Sequence, residues 1–426
     1  MKIALVHDYI KEYGGAERVL EVLHEMYPDA PVFTSVYLPQ FLGPHKERFK
    51  NWEIRESWVS RVPFREKLIS VLRVLSPLIF KSFDFSQFDV VIVSATGAYM
   101  SNAIKIRNPK SEIRKTIHIC YCHTPPRYLY GYATAREWKK NPLFRVLGEL
   151  ANHFLRLVDF KSAQNVDYFI ANSKEVQSRI KKFYKRESTI IYPPVDISFA
   201  LRSLRQFGDS SDSNVKQSVN LARAELSKYG SKDASFKSAP HAKAPRANSY
   251  FLAGGRLARP KNIDLIVKAC QELKVPLKVF GRPFGGYEKD VLSIKYKVSS
   301  IEFLGEVTDE EKYELMRGAK AYIFASEDED FGITPVEAMS VGTPVIAYRS
   351  GGVQESVIDP SAGSGQAATG VFFDELTVES LIKAIQQFNN ITIDSKDCIR
   401  QAEKFSKERF KKEIRKFVES RIKLSS

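Results

Sequence analysis

The chain has 426 residues, 43% of them hydrophobic and 12% aromatic, which is too long for one ordinary core and points to two globular domains of about 150 to 200 residues each. Its cysteines, Cys120, Cys122, Cys270 and Cys398, lack paired C-x2-C spacing, so they suggest neither a disulfide framework nor a zinc site and fit a reduced, cytoplasmic setting. A net charge of +15 calls for an anionic partner, whether nucleic acid, anionic lipid or a phosphorylated ligand.

The first apolar run, in "KIALVHD" (2–8), is about five residues long and ends at His7 and Asp8, so it reads as a strand and not as a signal peptide. Further strands are predicted at 30–37, "DVVIVSA" (89–95), "TIHICYCH" (116–123), 166–173 and 188–195, separated by helical patterns such as "AERVLEVLHEMY" and "SKEVQSRIKKFY". That alternation gives an α/β, doubly wound domain over 1–196. The most apolar stretch, "LISVLRVLSPLIF" (68–80), holds Arg73 and Pro77 and falls short of the about 20 apolar residues a bilayer crossing needs.

Residues 197–248 are rich in Ser, Ala, Lys and Asn and poor in aliphatics. They read as a disordered low-complexity linker or insertion, with a short helix around "VNLARAELSKY". The strand pattern resumes at "SYFLAGGRL" (249–257), "PLKVFGR" (276–282), 300–307, "AKAYIFAS" (319–326) and 343–348, giving a second doubly wound domain over 249–404. The last stretch, 402–424, has Phe405, Phe410, Ile414, Phe417, Val418 and Ile422 near helical spacing.

Two such domains leave a cleft, and open parallel sheets bind ligands outside the carboxyl ends of their strands. In "GGRLARPKN", Gly254 and Gly255 let the backbone approach a ligand, and Arg256 and Lys261 suit a diphosphate. A surface loop with two basic residues accounts for the same letters. In "EDFGITPVE", Glu329 sits in a loop, Gly332 permits a tight turn, and Pro335 is expected to begin a helix with Glu337 in its first turn. Ordinary capping would also favour Glu337 there. Two carboxylates that can each accept from a diol, beside free N–H groups at a helix start, fit two polyol parts joined by a diphosphate. That is the description of a nucleotide sugar.

"EDFGITPVE" matches the E-x7-E signature of retaining glycosyltransferases of family 4, and "GGRLARPKNID", "GTPVIA" and "GGVQE" stand where that family has them. "HDYIKEYGGAERVL" (7–20) and "CYCHTPPRYLYGY" (120–132) resemble the O-antigen type mannosyltransferase subgroup. The resemblance implies the GT-B architecture, two Rossmann-like domains facing a central cleft, with a C-terminal helix over 405–426 crossing back to the N-terminal domain. It implies that Glu329 holds hydroxyls of the donor hexose near the amides of Phe331, Gly332 and Ile333, that Glu337 holds the ribose diol, and that Arg256 and Lys261 neutralise the diphosphate. Gly14 and Gly15 would admit the phosphate end of the donor. His123 would face the donor sugar, although a packed or capping histidine is the alternative; Arg127 is a weaker candidate for acceptor or phosphate. Cys120 and Cys122 alternate to the face opposite His123, so a shared metal ion is not expected.

From the same resemblance follow a reaction that keeps the donor configuration, no cofactor, no divalent metal, and a saccharide acceptor, carried on lipid, in cell-surface polysaccharide synthesis. The preferred donor is GDP-mannose, with a UDP-sugar as the alternative; a sugar-nucleotide epimerase or a phosphorylase of the same fold is set against the E-x7-E block and the lack of a pyridoxal lysine motif. Basic and aromatic residues interleave over 46–83, including Trp52, Trp58, Phe64, Arg65, Lys67 and Arg73. They fit either helices covering the sheet or an anionic membrane surface on the inner face of the cell membrane. A specific nucleic-acid partner is not expected, for want of a binding module. Two departures stand out: the segment 197–248 replaces a short connection, and "CHTPPRYLYGY" has a second proline and a tyrosine where the subgroup more often has methionine and tryptophan.

Overall fold

The computed structural model describes residues 1–106, 116–133, 142–197, 250–287, 300–359 and 366–423. The linker reading of 197–248, with its short helix, lies outside the described residues apart from Ile197.

Seven strands form the first sheet: β1 (Ile3–His7), β2 (Val32–Thr34), β3 (Ile54–Glu56), β4 (Val90–Ala95), β5 (Ile117–Cys122), β6 (Tyr168–Ala171) and β7 (Ser188–Ile190). Their spatial order is β3-β2-β1-β4-β5-β6-β7, and every pairing is parallel. Six form the second: β8 (Tyr250–Gly254), β9 (Leu277–Phe280), β10 (Ile301–Gly305), β11 (Ala319–Phe324), β12 (Val345–Tyr348) and β13 (Gly370–Phe373). Their order is β10-β9-β8-β11-β12-β13, again all parallel. Central strands such as β1 and β4 are buried at every position, the pattern of sheets covered by helices on both faces.

In both sheets the strand order reverses beside the first strand, between β1 and β4 and between β8 and β11. A crevice opens at such a switch point, outside the carboxyl ends of the strands. His7 closes β1 level with Ser94 of β4, while Gly254 closes β8 and the acidic loop follows β11.

The helices used below are α1 (Gly15–Met26), α2 (Arg65–Leu72), α3 (Ser76–Lys81), α4 (Arg127–Tyr130), α5 (Pro142–Gln164), α6 (Lys174–Tyr184), α7 (Ile263–Glu272), α8 (Asp309–Arg317), α9 (Ile333–Ser340), α10 (Val378–Asn389), α11 (Ser395–Glu403) and α12 (Lys407–Lys423). Although α12 ends the chain, its Phe410, Ile414, Phe417 and Val418 are buried with Leu5, Leu20, Ile119 and Tyr121 of the first domain. Each such side chain contributes about 1.5 to 3 kcal/mol on burial. The ion pairs of Lys407 and Lys411 with Glu25, at 2.6 and 2.8 Å, are surface contacts worth at most about 1 kcal/mol. Apolar packing therefore fastens the helix to the first domain.

One surface departs from this economy. Apart from Met1, every exposed large hydrophobic side chain among the described residues lies between Trp58 and Phe160. Phe64, just before α2, and Val71, Val74 and Leu78, on and between α2 and α3, stand out, and Val146, Leu150, Phe154 and Leu157 recur along α5 at helical spacing. Lys81 of α3 and Lys161 of α5 line one cavity of about 450 Å³ with Lys105 and Val158, so the two helices border a common space.

Candidate active site

The acidic loop that leaves β11 is held in one shape. Glu329 Oε2 accepts from Lys261 Nζ at 2.6 Å and from Ser326 Oγ at 2.7 Å. Burial alone would raise this carboxyl, but the charges of Lys261 and then Arg127 outweigh it and bring the group down to about 2. Glu329 is therefore an ionised acceptor, and among the described residues its Oε1 takes no hydrogen bond. Beneath it, the Gly352 N–H donates to Glu329 O at 2.8 Å. A Cβ at Gly351 would lie 2.1 Å from Glu329 O, and one at Gly352 would lie 2.3 Å from Asp330 O. "GGVQE" is thus the floor on which the loop rests.

Gly332, at φ +85°, caps α9, which starts at Ile333 and not at Pro335. Pro335 is the third helical residue, where its missing N–H costs nothing. This corrects the expectation for Glu337: it lies in the second turn, away from the N-terminal amides. It is buried, and its Oε1 accepts from Lys312 Nζ at 2.8 Å and faces Arg18 at 3.3 Å. The Phe331 ring is also buried, packed on Tyr192 and Phe405 at 5.5 and 5.2 Å; only its backbone can meet a ligand.

After β8, a Cβ at Gly254 would sit 2.5 Å from the Phe280 ring, and Gly255 adopts φ +106°. Arg256 lies over the Phe284 ring at 4.7 Å and pairs with Glu12 of the first domain at 3.0 Å. Lys261 ends a 3₁₀ turn and is held by Glu329. Both basic residues expected at a diphosphate are thus at the cleft, each on a carboxylate.

The first domain supplies the opposite wall. Gly14 and Gly15 open α1, and a Cβ at Gly15 would lie 2.9 Å from the Cδ1 tip of Ile333, so the starts of α1 and α9 approach closely across the cleft. His123 follows β5, its N–H bonded to Ala95 O at 2.9 Å and its Nε2 2.9 Å from Ser94 Oγ. Burial, with the nearby His7, lowers its basicity to about 3, so the ring is neutral. Cys120 and Cys122 point into the core on the other face of that strand. Arg127 turns to the acidic loop, donating to Asp328 O at 2.6 Å and pairing with Asp330 at 2.9 Å.

Residues 13–199 match the family model described as Glycosyltransferase Family 4, and residues 237–405 match Glycosyl transferases group 1. The chain belongs to glycosyltransferase family 4. Human alpha-1,3/1,6-mannosyltransferase ALG2 is 28% identical over 194 residues, 41% of this chain and 46% of that protein. The chain thus spans about half the length of that curated relative. The ALG2 of Dictyostelium discoideum is 23% identical over 352 residues, 76% and 73% of the two chains. Among solved structures, Anabaena Alr3699/HepE, in complex with UDP and glucose, superposes with TM-score 0.64 at 17% identity over 99% of this chain and 100% of that one. Sucrose-phosphate synthase from Thermosynechococcus elongatus gives TM-score 0.66 at 17% identity over the whole of both chains. Such low identity speaks for the fold, and the fold is GT-B.

Several side chains in this glycosyltransferase's cleft escaped the sequence reading. Buried Arg179 of α6 binds Asp330 at 2.6 Å, Thr124 Oγ1 at 3.1 Å and Asp328 O at 3.2 Å. Glu355 caps α6 across the cleft, accepting from the N–H groups of Lys174 and Glu175 at 2.9 and 3.2 Å. Arg18 and Arg48 both reach Asp309, each at 2.9 Å. The Asp309–Lys312 pair, three apart on one helix, has a spacing legible in the letters; Arg179 and Thr124 lie 55 positions apart, and the other partners named here lie more than 100 apart. Together the cleft offers an ionised acceptor, a neutral imidazole, two cations and free helix-start amides, a set that can bind hydroxyls and oxyanions at once.

Proposed function

We propose that this glycosyltransferase moves a hexose, mannose from GDP-mannose, to a saccharide acceptor carried on lipid, with retention of the donor configuration and without a divalent metal or cofactor. Glu329 carries the proposal: it is charged, anchored by Lys261, and set at the switch point of the second sheet facing the first domain. In this assignment Glu329 and His123 hold donor-sugar hydroxyls, the Phe331, Gly332 and Ile333 amides lie alongside, Glu337 takes the ribose, and Arg127 helps hold the acid loop. As the glycosidic bond breaks, negative charge grows on the leaving diphosphate. Arg256 and Lys261 stabilise it, and a leaving phosphate oxygen takes the acceptor proton on the same face.

Two relatives bear the name alpha-1,3/1,6-mannosyltransferase, which favours mannose. The HepE structure solved with UDP-glucose favours the second reading, a UDP-sugar donor on the same site. The acceptor assignment draws support from the bare apolar faces of α2, α3 and α5, flanked by Lys67, Lys81 and Lys161. Apolar residues that enter the interfacial layer beside lysines that meet anionic headgroups suit the inner membrane face, in cell-surface polysaccharide synthesis. Among the described residues no helix is long and apolar enough to cross a membrane.

Calorimetric titration and thermal shift with GDP-mannose, GDP, UDP-glucose, UDP-N-acetylglucosamine and UDP test the donor, because a ligand of the native state raises its melting point. Selective stabilisation by the guanine pair is expected, and selective response to the uridine set would install the second reading. Transfer undiminished by EDTA and an unchanged anomeric configuration in the product's NMR spectrum are the expected outcomes for metal and stereochemistry.

A further inference from the structure

A row of polar side chains crosses the carboxyl ends of three neighbouring strands beneath the cleft. His7 and Ser94 are register partners in β1 and β4, and His123 follows β5, the next strand. All three are buried. His7 Nδ1 lies 3.1 Å from Ser94 Oγ, which lies 2.9 Å from His123 Nε2. At the far end, His7 Nε2 faces Glu17 Oε1 at a longer 3.5 Å, while Glu17 Oε2 accepts the Gly14 N–H at 2.9 Å.

The direction of these hydrogen bonds follows from the carboxylate. Burial raises the Glu17 carboxyl, but the hydrogen bonds it takes from His7 and from the Gly14 N–H act the other way and lower it, so it is ionised at neutral pH and can only accept. With that one proton on Nε2, the Nδ1 of His7 is an acceptor. Ser94 donates its hydroxyl proton to that nitrogen, and its oxygen accepts from His123 Nε2–H. We infer that Glu17, His7 and Ser94 are positioning residues that hold His123 in its Nε2–H tautomer, leaving Nδ1 as the one ring nitrogen open to a ligand and making His123 an acceptor for a hydroxyl proton. The ring's second nitrogen is set by the hydrogen bond of its first, as in other imidazole sites. Because Glu17 also holds Gly14, the glycine loop at the mouth of the cleft and the histidine at its floor share one support.

That the hydroxyl belongs to a donor sugar rests on the function proposed above; the tautomer does not, so the two are tested apart. Nitrogen-15 long-range spectra of the histidines in the full, unliganded chain, with His123 assigned by its loss in His123→Gln, are expected to show a protonated Nε2 and a lone-pair Nδ1. Ser94→Ala and Glu17→Gln, each checked for an unchanged circular dichroism spectrum, should mix the tautomers, and Ser94→Thr, which restores the hydroxyl on a strand-compatible side chain, should recover the first state. In transfer assays Ser94→Ala should lose about tenfold in kcat/KM, the scale of one hydrogen bond, with recovery in Ser94→Thr. A proton on Nδ1 in the wild type, or a tautomer that neither Ser94→Ala nor Glu17→Gln moves, overturns the relay. The expected tautomer without any nucleotide-sugar binding leaves the relay standing and removes the donor assignment.

Discussion

Arg18, in the first helix of the N-terminal domain, lies 3.3 Å from Glu337 and 2.9 Å from Asp309 of the C-terminal domain. Burial works against the guanidinium's charge, but Glu337 and then Asp309 more than compensate, so its basicity is raised. The carboxylate expected at the ribose is thus part of a bridge that holds the cleft together.

A double-mutant cycle on Arg18→Ala and Asp309→Ala should therefore reveal coupling. The pair is only partly buried, so about 1 kcal/mol is expected from urea unfolding midpoints. Additive effects would mean that the bridge adds nothing to domain closure.

Glu329→Gln keeps the volume and the Ser326 contact but removes the charge opposite Lys261. Turnover should fall about a hundredfold, the scale for losing one preorganised electrostatic partner, with far-ultraviolet circular dichroism unchanged. Glu337→Ala should weaken donor binding more than turnover, and Arg256→Ala should damage both; initial-rate kinetics separate the two effects.

The same charge has a signature in pH. The folded-state value of Glu329, about 2, lies below the unfolded value of about 4.3. A depressed carboxyl contributes stability that is fully present above the unfolded value and is lost as pH falls through the folded one. The stability difference between wild type and Glu329→Gln should hold constant above about pH 5 and shrink steadily towards pH 2, as read by denaturation midpoints.

Much of the fold is legible because parallel strands buried on both faces leave continuous apolar runs such as "VVIVSA". β3 is missed because "IRE" is three residues at a sheet edge with half-exposed side chains. β13, "GVFF", is missed because it is short and follows a Gly- and Ala-rich run that reads as loop. At the site, the spacing of Glu329 and Glu337 is local and readable. Which cation holds each acid is not, because Lys261, Lys312, Arg18 and Arg179 arrive from four different elements. Proline misled the start of α9, since the left-handed Gly332 stops the preceding loop two residues earlier.

The bare faces of α2, α3 and α5 predict binding to vesicles that contain anionic phospholipid. Phe154→Asp with Leu157→Asp should abolish co-sedimentation, and reversal of Lys67, Lys81 and Lys161 should weaken it in a salt-dependent way. Reversal of Arg65 and Arg73 is a poorer probe, because Arg65 bonds Ser60 O and Arg73 stacks on Tyr128 at 4.5 Å. Vesicle binding unchanged in the aspartate pair would remove this surface from the membrane.

Gly352→Ala tests whether the floor of the acidic loop matters as much as the acid. Its Cβ would lie 2.6 Å from Phe331 Cα as well as 2.3 Å from Asp330 O, and backbone cannot yield as a flexible side chain would. The loop must lift, carrying Glu329 away from Lys261, and misplacement by about 1 Å can cost about a hundredfold in rate. Gly131→Ala is the control: its φ of +81° carries the usual penalty of a left-handed residue, but among the described residues nothing lies within 4 Å of the added carbon. Both variants should lose stability, and only Gly352→Ala should lose kcat to the extent of Glu329→Gln. Equal losses in the two would mean that turnover follows stability and not the placement of Glu329.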